Sequence, residues 1–359
     1  MKITIPFLVF ILLFSACKKN NPKKLIEQRH FKMGFTTWPY GPEPNDVAST
    51  YNYVKTNGDI YAEHIDDYIP WNHWINGEPL PEEYSANIAG KIAQRSFDQE
   101  LLLSVSFLNN ARNGIKEDLT GNPPIYEKLN DEVIVDAYTN HIIYLIEGFQ
   151  PQYLVLSIES NDFLINNPEE WEDYRLAMTN VRTTIKALYP HIMTSESVTL
   201  HNWYENDSDN ATEITKETDE LVNEMDFAAI SFYPFFKGLN KRKEFQKAFD
   251  FLHDHTQLPI AFVETSHLAN DLNVEGLNLH IKSSEKEQEE YLSTLLINAH
   301  NHDYKFIIWW AHRDFDALWE TFPVSLKDLG KIWRDTGILD ENGENRKAAK
   351  LWTEILDRN

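Results

Sequence analysis

Tyr153-Leu154-Val155-Leu156-Ser157-Ile158-Glu159 is an apolar run that closes on a carboxylate. Pro259-Ile260-Ala261-Phe262-Val263-Glu264 repeats that design about a hundred residues later. Outward from these two lie six more short apolar runs: 33–38, 59–65, 101–107, 191–198, 226–233 and 305–310. Their starts are 26 to 52 residues apart, enough for a helix between each pair. The intervening stretches carry helix signals. Asn167-Pro168-Glu169-Glu170 offers a cap residue followed by Pro and Glu, and Ser284 with Glu287 forms a capping box. Val133, Ala137, Ile142 and Leu145 share one helical face, as do Tyr291, Leu292, Leu295 and Leu296. Strands alternating with helices give a parallel sheet covered by helices. Eight such units predict an α/β fold of the closed (β/α)8 TIM-barrel type, one domain over 31–359. The competing arrangement, an open doubly wound sheet, lacks its glycine-rich loop: Thr37-Trp38-Pro39-Tyr40 follows the first run instead.

The 359 residues include 33 Lys and Arg against 56 Asp and Glu, a net charge of −23. Polyanions need a basic footprint, so nucleic acid is excluded as an expected partner. Aromatic residues make up 13% of the chain, with 10 Trp and 16 Tyr, a supply of flat faces for ligands as well as for a core.

The single Cys rules out an intrachain disulfide. Lys2, the apolar run Ile5–Phe14 and the small residues Ser15 and Ala16 read as a signal peptide over 1–16. Phe14-Ser15-Ala16-Cys17 resembles a bacterial lipobox, which implies cleavage before Cys17 and a lipid on it. The polar stretch 17–30 then reads as a tether to a membrane in the bacterial envelope, on a face the sequence does not specify.

In a barrel of this type the chemistry gathers where strands end. Glu159 and Glu264 end the fourth and seventh strands, and a charge beside an apolar core is costly to hold. Their bland alternatives are a helix cap or a pair with Arg. Alternation puts Glu159 with Ser157 and Val155, and sends Ile158, Leu156 and Leu154 toward the helices. Other rim candidates are Trp38, His64, Asn109, Glu196 and His201, each equally readable as a packed or capped structural residue. Glu196 is the main rival carboxylate. His64 and His73 lack a close third ligand, and neither a phosphate loop nor a Gly-x-Ser-x-Gly elbow occurs. No metal or cofactor is expected.

Glutamates ending strands four and seven resemble the catalytic pair of clan A retaining glycoside hydrolases. The run Asp226-Phe227-Ala228-Ala229-Ile230-Ser231-Phe232-Tyr233-Pro234 and the Glu264-Thr265 pair are similar to the sixth and seventh strands of family 53 endo-β-1,4-galactanases. Ile307-Ile308-Trp309-Trp310 matches the clan's eighth-strand Trp, and Thr336-Gly337-Ile338-Leu339-Asp340 its common ending. The resemblance implies a retaining hydrolase of a β-linked oligo- or polysaccharide, with Glu264 as nucleophile and Glu159 as acid/base. It also implies that Tyr233 bonds the nucleophile and that Trp309 and Trp310 meet the sugar. One position departs: the clan has Asn directly before the acid/base, against the sugar 2-hydroxyl, and here stands Ile158. Asn161 is the nearest substitute. That departure keeps a second reading open, a non-catalytic glycan-binding lipoprotein on the same scaffold.

Overall fold

The computed structural model describes residues 21–358. Nine parallel strands form the central sheet: β1 (Lys32–Thr36), β2 (Ile60–Ile65), β3 (Glu100–Val105), β4 (Tyr153–Val155), β5 (Met193–Ser195), β6 (Ser197–Thr199), β7 (Ala228–Phe232), β8 (Ile260–Thr265) and, after a short antiparallel hairpin of β9 (Leu272–Val274) and β10 (Leu279–Ile281), β11 (Phe306–Trp309). The pairing runs β5-β4-β3-β2-β1-β11-β8-β7-β6. β5 and β6 are two halves of one chain run that breaks at Glu196. The first half pairs with β4 and the second with β7, so the circuit of eight strand positions closes there. The expected fifth strand, 191–198, is thus one barrel stave with a kink. The fold is a (β/α)8 barrel, as the strand spacing predicts.

Alternation along the strands sorts the core into two layers. Ile60, Ala62, Leu102, Val155, Ala229, Ala261, Val263 and Ile308 fill the barrel interior. Phe35, Leu103, Leu154, Leu156, Ile230, Phe262 and Ile307 face outward and pack under the helices. The helices Glu132–Phe149, Trp171–Leu188 and Glu285–Asn301 lay their apolar faces on that outer layer. At the last of them Ser284 accepts from Lys286 N–H at 3.2 Å, which closes the helix start.

Arg346 and Asp314 lock the chain ending to the barrel. Both are buried, and Arg346 takes both carboxylate oxygens of Asp314 at 2.7 and 2.6 Å. Asp314 is thus paired with Arg346 and not with its sequence neighbour Arg313.

The described part of the stretch expected as a tether is packed rather than free. A short helix, Pro22–Leu25, and the buried Ile26 lie on the barrel. Arg29 pairs with Asp59 at 2.7 Å and reaches the carbonyl of Leu356 at 3.0 Å. Burying Ile26 and satisfying Arg29 outweigh the freedom of a polar linker. The expected signal peptide and Cys17 lie outside the described residues. Among the described residues no helix is long and apolar enough to cross a membrane.

Two buried histidines make the fold acid-sensitive. Burial pushes His141 down to about 3, and burial together with Arg313 does the same to His312. Both stay neutral in the folded chain while an unfolded histidine titrates near 6.5. The unfolded state therefore binds more protons below about 6.5, and stability falls as pH falls through that window. The expected slope is about 1.4 kcal/mol per pH unit for each histidine. Urea unfolding at a series of pH values measures it, and His141→Gln should remove one histidine's share.

Candidate active site

Both glutamates reach the barrel mouth through a break in strand regularity. At the end of the fourth stave β4 stops at Val155, and Glu159 takes a left-handed conformation with φ of 58°. Such a φ is costly for a residue with a side chain and survives only where neighbours hold it. The Glu159 N–H donates to Ser197 Oγ at 2.9 Å, which pins the turn before the helix Ser160–Asn166 begins. The turn also rotates the residue before it. Ile158 joins the interior cluster with Val155 and lines the cleft, whereas alternation sends it to the helices.

Glu264 depends on a bulge. Ile230 of β7 pairs with Phe262, but the next residue, Ser231, pairs with Glu264. On the other side Ile307 pairs with Phe262 and Trp309 with Thr265. One extra residue therefore sits in β8. Ile260 and Phe262 face the helices, so even alternation would turn Glu264 to that side as well. The bulge re-aims it into the mouth.

The two carboxylates line one cleft of about 470 Å³, within the range of small-ligand sites. Tyr233 Oη donates to Glu264 Oε1, and His64 Nε2 lies 3.2 Å from Glu264 Oε2. Burial first, then the charge of Glu264, holds the Tyr233 phenol well above its usual range, so it remains a donor. Burial alone lowers His64, but the hydrogen bond and charge of Glu264, with Asp66, outweigh it and leave His64 raised. Glu159 accepts from Ser231 Oγ at 2.9 Å and pairs with Arg112 at 3.1 Å. A third carboxyl, Asp162, also lines the cleft and is pushed up to about 7, chiefly by burial and then by the charge of Glu159. Asn202 donates to it at 2.9 Å.

Trp38 and Trp310 line the same cleft with ring centroids 5.3 Å apart, and His64 stands edge-on to Trp310 at 5.8 Å. His201 also lines it and is held neutral, pushed down to about 4 by burial. The remaining candidates fall elsewhere. Trp309 is 0% exposed, faces the helix layer and donates to Thr336 O at 2.9 Å. Ile308 faces the barrel interior and Trp309 the helices, so regular alternation leaves the mouth to Trp310. Asn161 is buried and spends both ends of its amide on the Thr199 backbone, at 3.1 and 2.8 Å. It fastens the Glu159 turn to β6 and is no substitute for a sugar ligand. Glu196 sits behind the cleft, where Tyr174 donates to it at 2.5 Å and Ser160 at 2.9 Å. It occupies the break between β5 and β6, so its side chain turns toward the helix Trp171–Leu188. Asn109 bonds Asn113 within its own loop at 2.9 Å, and its neighbour Asn110 lines the cleft.

Arg112, Ser231 and Asp162 escape the sequence reading. Ser231 lies one residue beyond Ile230 on β7, and its inward aim follows from alternation. Arg112 stands on an irregular loop, where no periodicity shows direction. Among the described residues one carboxylate trio, Asp314, Asp316 and Asp335, lies close enough to hold a metal ion. Arg346 already takes Asp314, and Arg334 pairs with Asp335 at 2.9 Å and Asp316 at 3.5 Å. The protein supplies its own cations there.

Known structures bear out the fold. A GH5_18 protein from Bifidobacterium longum subsp. longum, in complex with Manβ1-4GlcNAc, superposes with a TM-score of 0.66 at 13% identity, covering 92% of this chain and 78% of that one. An exo-β-1,4-mannosidase from Opitutaceae bacterium strain TAV5 gives 0.64 at 11% identity, over 92% and 60% of the two chains. A GH53 catalytic domain from Ignisphaera aggregans gives 0.59 at 14% identity, over 91% and 96%. No family model and no curated protein matches the sequence. At this identity the likeness is one of architecture: the chain shares its barrel with glycoside hydrolases.

Tyr233→Phe tests the contact that holds Glu264. A hydrogen bond to a charged group contributes about 1.5–3 kcal/mol, so kcat should fall by roughly 10- to 100-fold. KM should move much less. An unchanged kcat would show that the Tyr233 contact does not act in turnover.

Proposed function

We propose that this protein is a retaining β-glycoside hydrolase, with Glu264 as nucleophile and Glu159 as acid/base. One observation carries it: two glutamates from separate strands face one cleft, each held by its own donors. Glu264 attacks the anomeric carbon and forms a glycosyl ester while Glu159 gives its proton to the departing oxygen. Glu159 then removes a proton from water, which adds to the anomeric carbon and releases Glu264. The bonds to Arg112 and Ser231 hold the Glu159 carboxyl in place at the cleft. Tyr233 and His64 orient Glu264, and the paired Trp38 and Trp310 offer flat faces to a sugar. The barrel neighbours that act on or hold β-mannosides support a β-linked substrate and put β-mannosides first in a substrate panel.

A 2-deoxy-2-fluoro β-glycoside with an activated leaving group tests the proposal. It should add one sugar to the peptide that carries Glu264. Ile158 in the cleft favours the second reading, glycan binding without turnover, because it brings an apolar side chain where a sugar hydroxyl needs a partner. Saturable glycan binding with no label on Glu264 would establish that reading.

We infer as well that Cys17 carries lipid and holds the protein on the bacterial envelope, on the strength of the lipobox-like sequence. Cys17→Ala should move the protein from the membrane fraction to the soluble one.

A further inference from the structure

The cleft is built from two unlike parts. Loops after β2, β3 and β4 bring Asp66, Asn110, Arg112, Glu159 and Asp162. Those are the groups that hydroxyls require. The segment after β11 stands four strand positions round the barrel from β4. It brings Phe322, Leu326, Leu329 and Trp333 instead.

That second part is left in water at a cost. Leu326 is 50% exposed and Leu329 41%, three residues apart on the helix Val324–Arg334. Residues at that spacing are neighbours on one helical face. Gly330 closes the helix onto Phe322: a Cβ there would lie 3.0 Å from two Phe322 ring carbons. The glycine thereby lets Phe322 sit against the leucine-bearing helix. Trp333 joins the wall to the nucleophile side, with its ring 6.5 Å from that of Tyr233.

A sugar ring makes poor use of the leucines in such a wall. It needs hydrogen bonds around its edge and flat aromatic faces for its C–H bonds. Trp38 and Trp310 already supply the faces. Aliphatic leucines supply neither, and exposed leucines lining a binding cleft suit an apolar group of the ligand.

We propose that Phe322, Leu326, Leu329 and Trp333 form a subsite for an apolar aryl or alkyl group carried by the sugar, so that the substrate is an amphiphilic glycoside. The inference rests on the reading of this cleft as a glycoside site and narrows its substrate class.

Two uncleavable probes test it on the whole protein: n-octyl and methyl β-D-thioglucopyranoside, the octyl form kept below its micelle concentration. Calorimetry and quenching of tryptophan fluorescence read their binding. The octyl probe should bind at least about tenfold more tightly than the methyl probe. Leu326→Ser combined with Leu329→Ser should erase most of that difference, with thermal unfolding confirming the fold. Equal binding of the two probes by the wild type would overturn the proposal. So would an octyl preference that survives in the double variant. A wild-type dimer that the double variant dissolves, without any octyl preference, would assign the wall to a second copy of the chain and also overturn it. Because neither probe is cleaved, these results are independent of catalysis. The hydrolase reading fails separately, on an unlabelled Glu264.

Discussion

Glu264→Gln should abolish turnover, lowering kcat by roughly 10⁴- to 10⁶-fold, the range seen when a covalent nucleophile is removed. The amide keeps the length and shape of the carboxylate. Its oxygen still accepts from Tyr233, so the fold and the cleft should stand unaltered. What disappears is the carboxylate proposed to form the glycosyl ester, since an amide oxygen is far too weak a nucleophile. Substrate binding should persist, which separates a lost chemical step from a collapsed site. The measurement is kcat on an activated aryl β-glycoside, with the dissociation constant of the same ligand determined alongside. Activity within tenfold of wild type would remove Glu264 from the mechanism.

Glu159→Gln should cost about 10²- to 10⁴-fold, the usual contribution of a general acid or base. Its signature is dependence on the leaving group. A dinitrophenyl glycoside leaves without a proton, so its first step should survive and the glycosyl-enzyme should accumulate. An alkyl glycoside needs the proton and should show the full loss. Added azide should then restore turnover on the dinitrophenyl substrate, because the anion attacks without a base. Equal losses on both substrates, with no azide effect, would show that Glu159 transfers no proton.

The barrel was legible from the sequence because its signal is repeated. Eight apolar runs separated by helix-length segments leave few topologies that bury both faces of each strand. The two carboxylates were legible for a simpler reason, their position at strand ends. Side-chain direction was not legible wherever the backbone left the even ladder. The positive φ at Glu159 turned Ile158 inward, and the break at Glu196 turned that carboxylate toward Tyr174. Alternation holds through β1 to β4 because nothing interrupts the pairing there. Arg112 and the leucines of the helix Val324–Arg334 belong to connections whose course depends on tertiary packing. No local pattern announces which side of such a loop meets a ligand. Trp309 and Trp310 show the same limit at its smallest scale. Adjacent in sequence, they belong to different compartments, and only pairing with β1 and β8 decides which is which.

The surplus residue in β8 separates architecture from reactivity. Keep Val263 but draw the strand into an even ladder, and its neighbours could still align with it, the helices would still cover it, and the molecule would still be a barrel, yet its acid group would be tucked beneath the outer shell. Omit Val263 altogether, and the acid would follow Phe262 directly and point inward without any irregularity. The chemistry therefore hangs on a parity of backbone steps to which the architecture is indifferent.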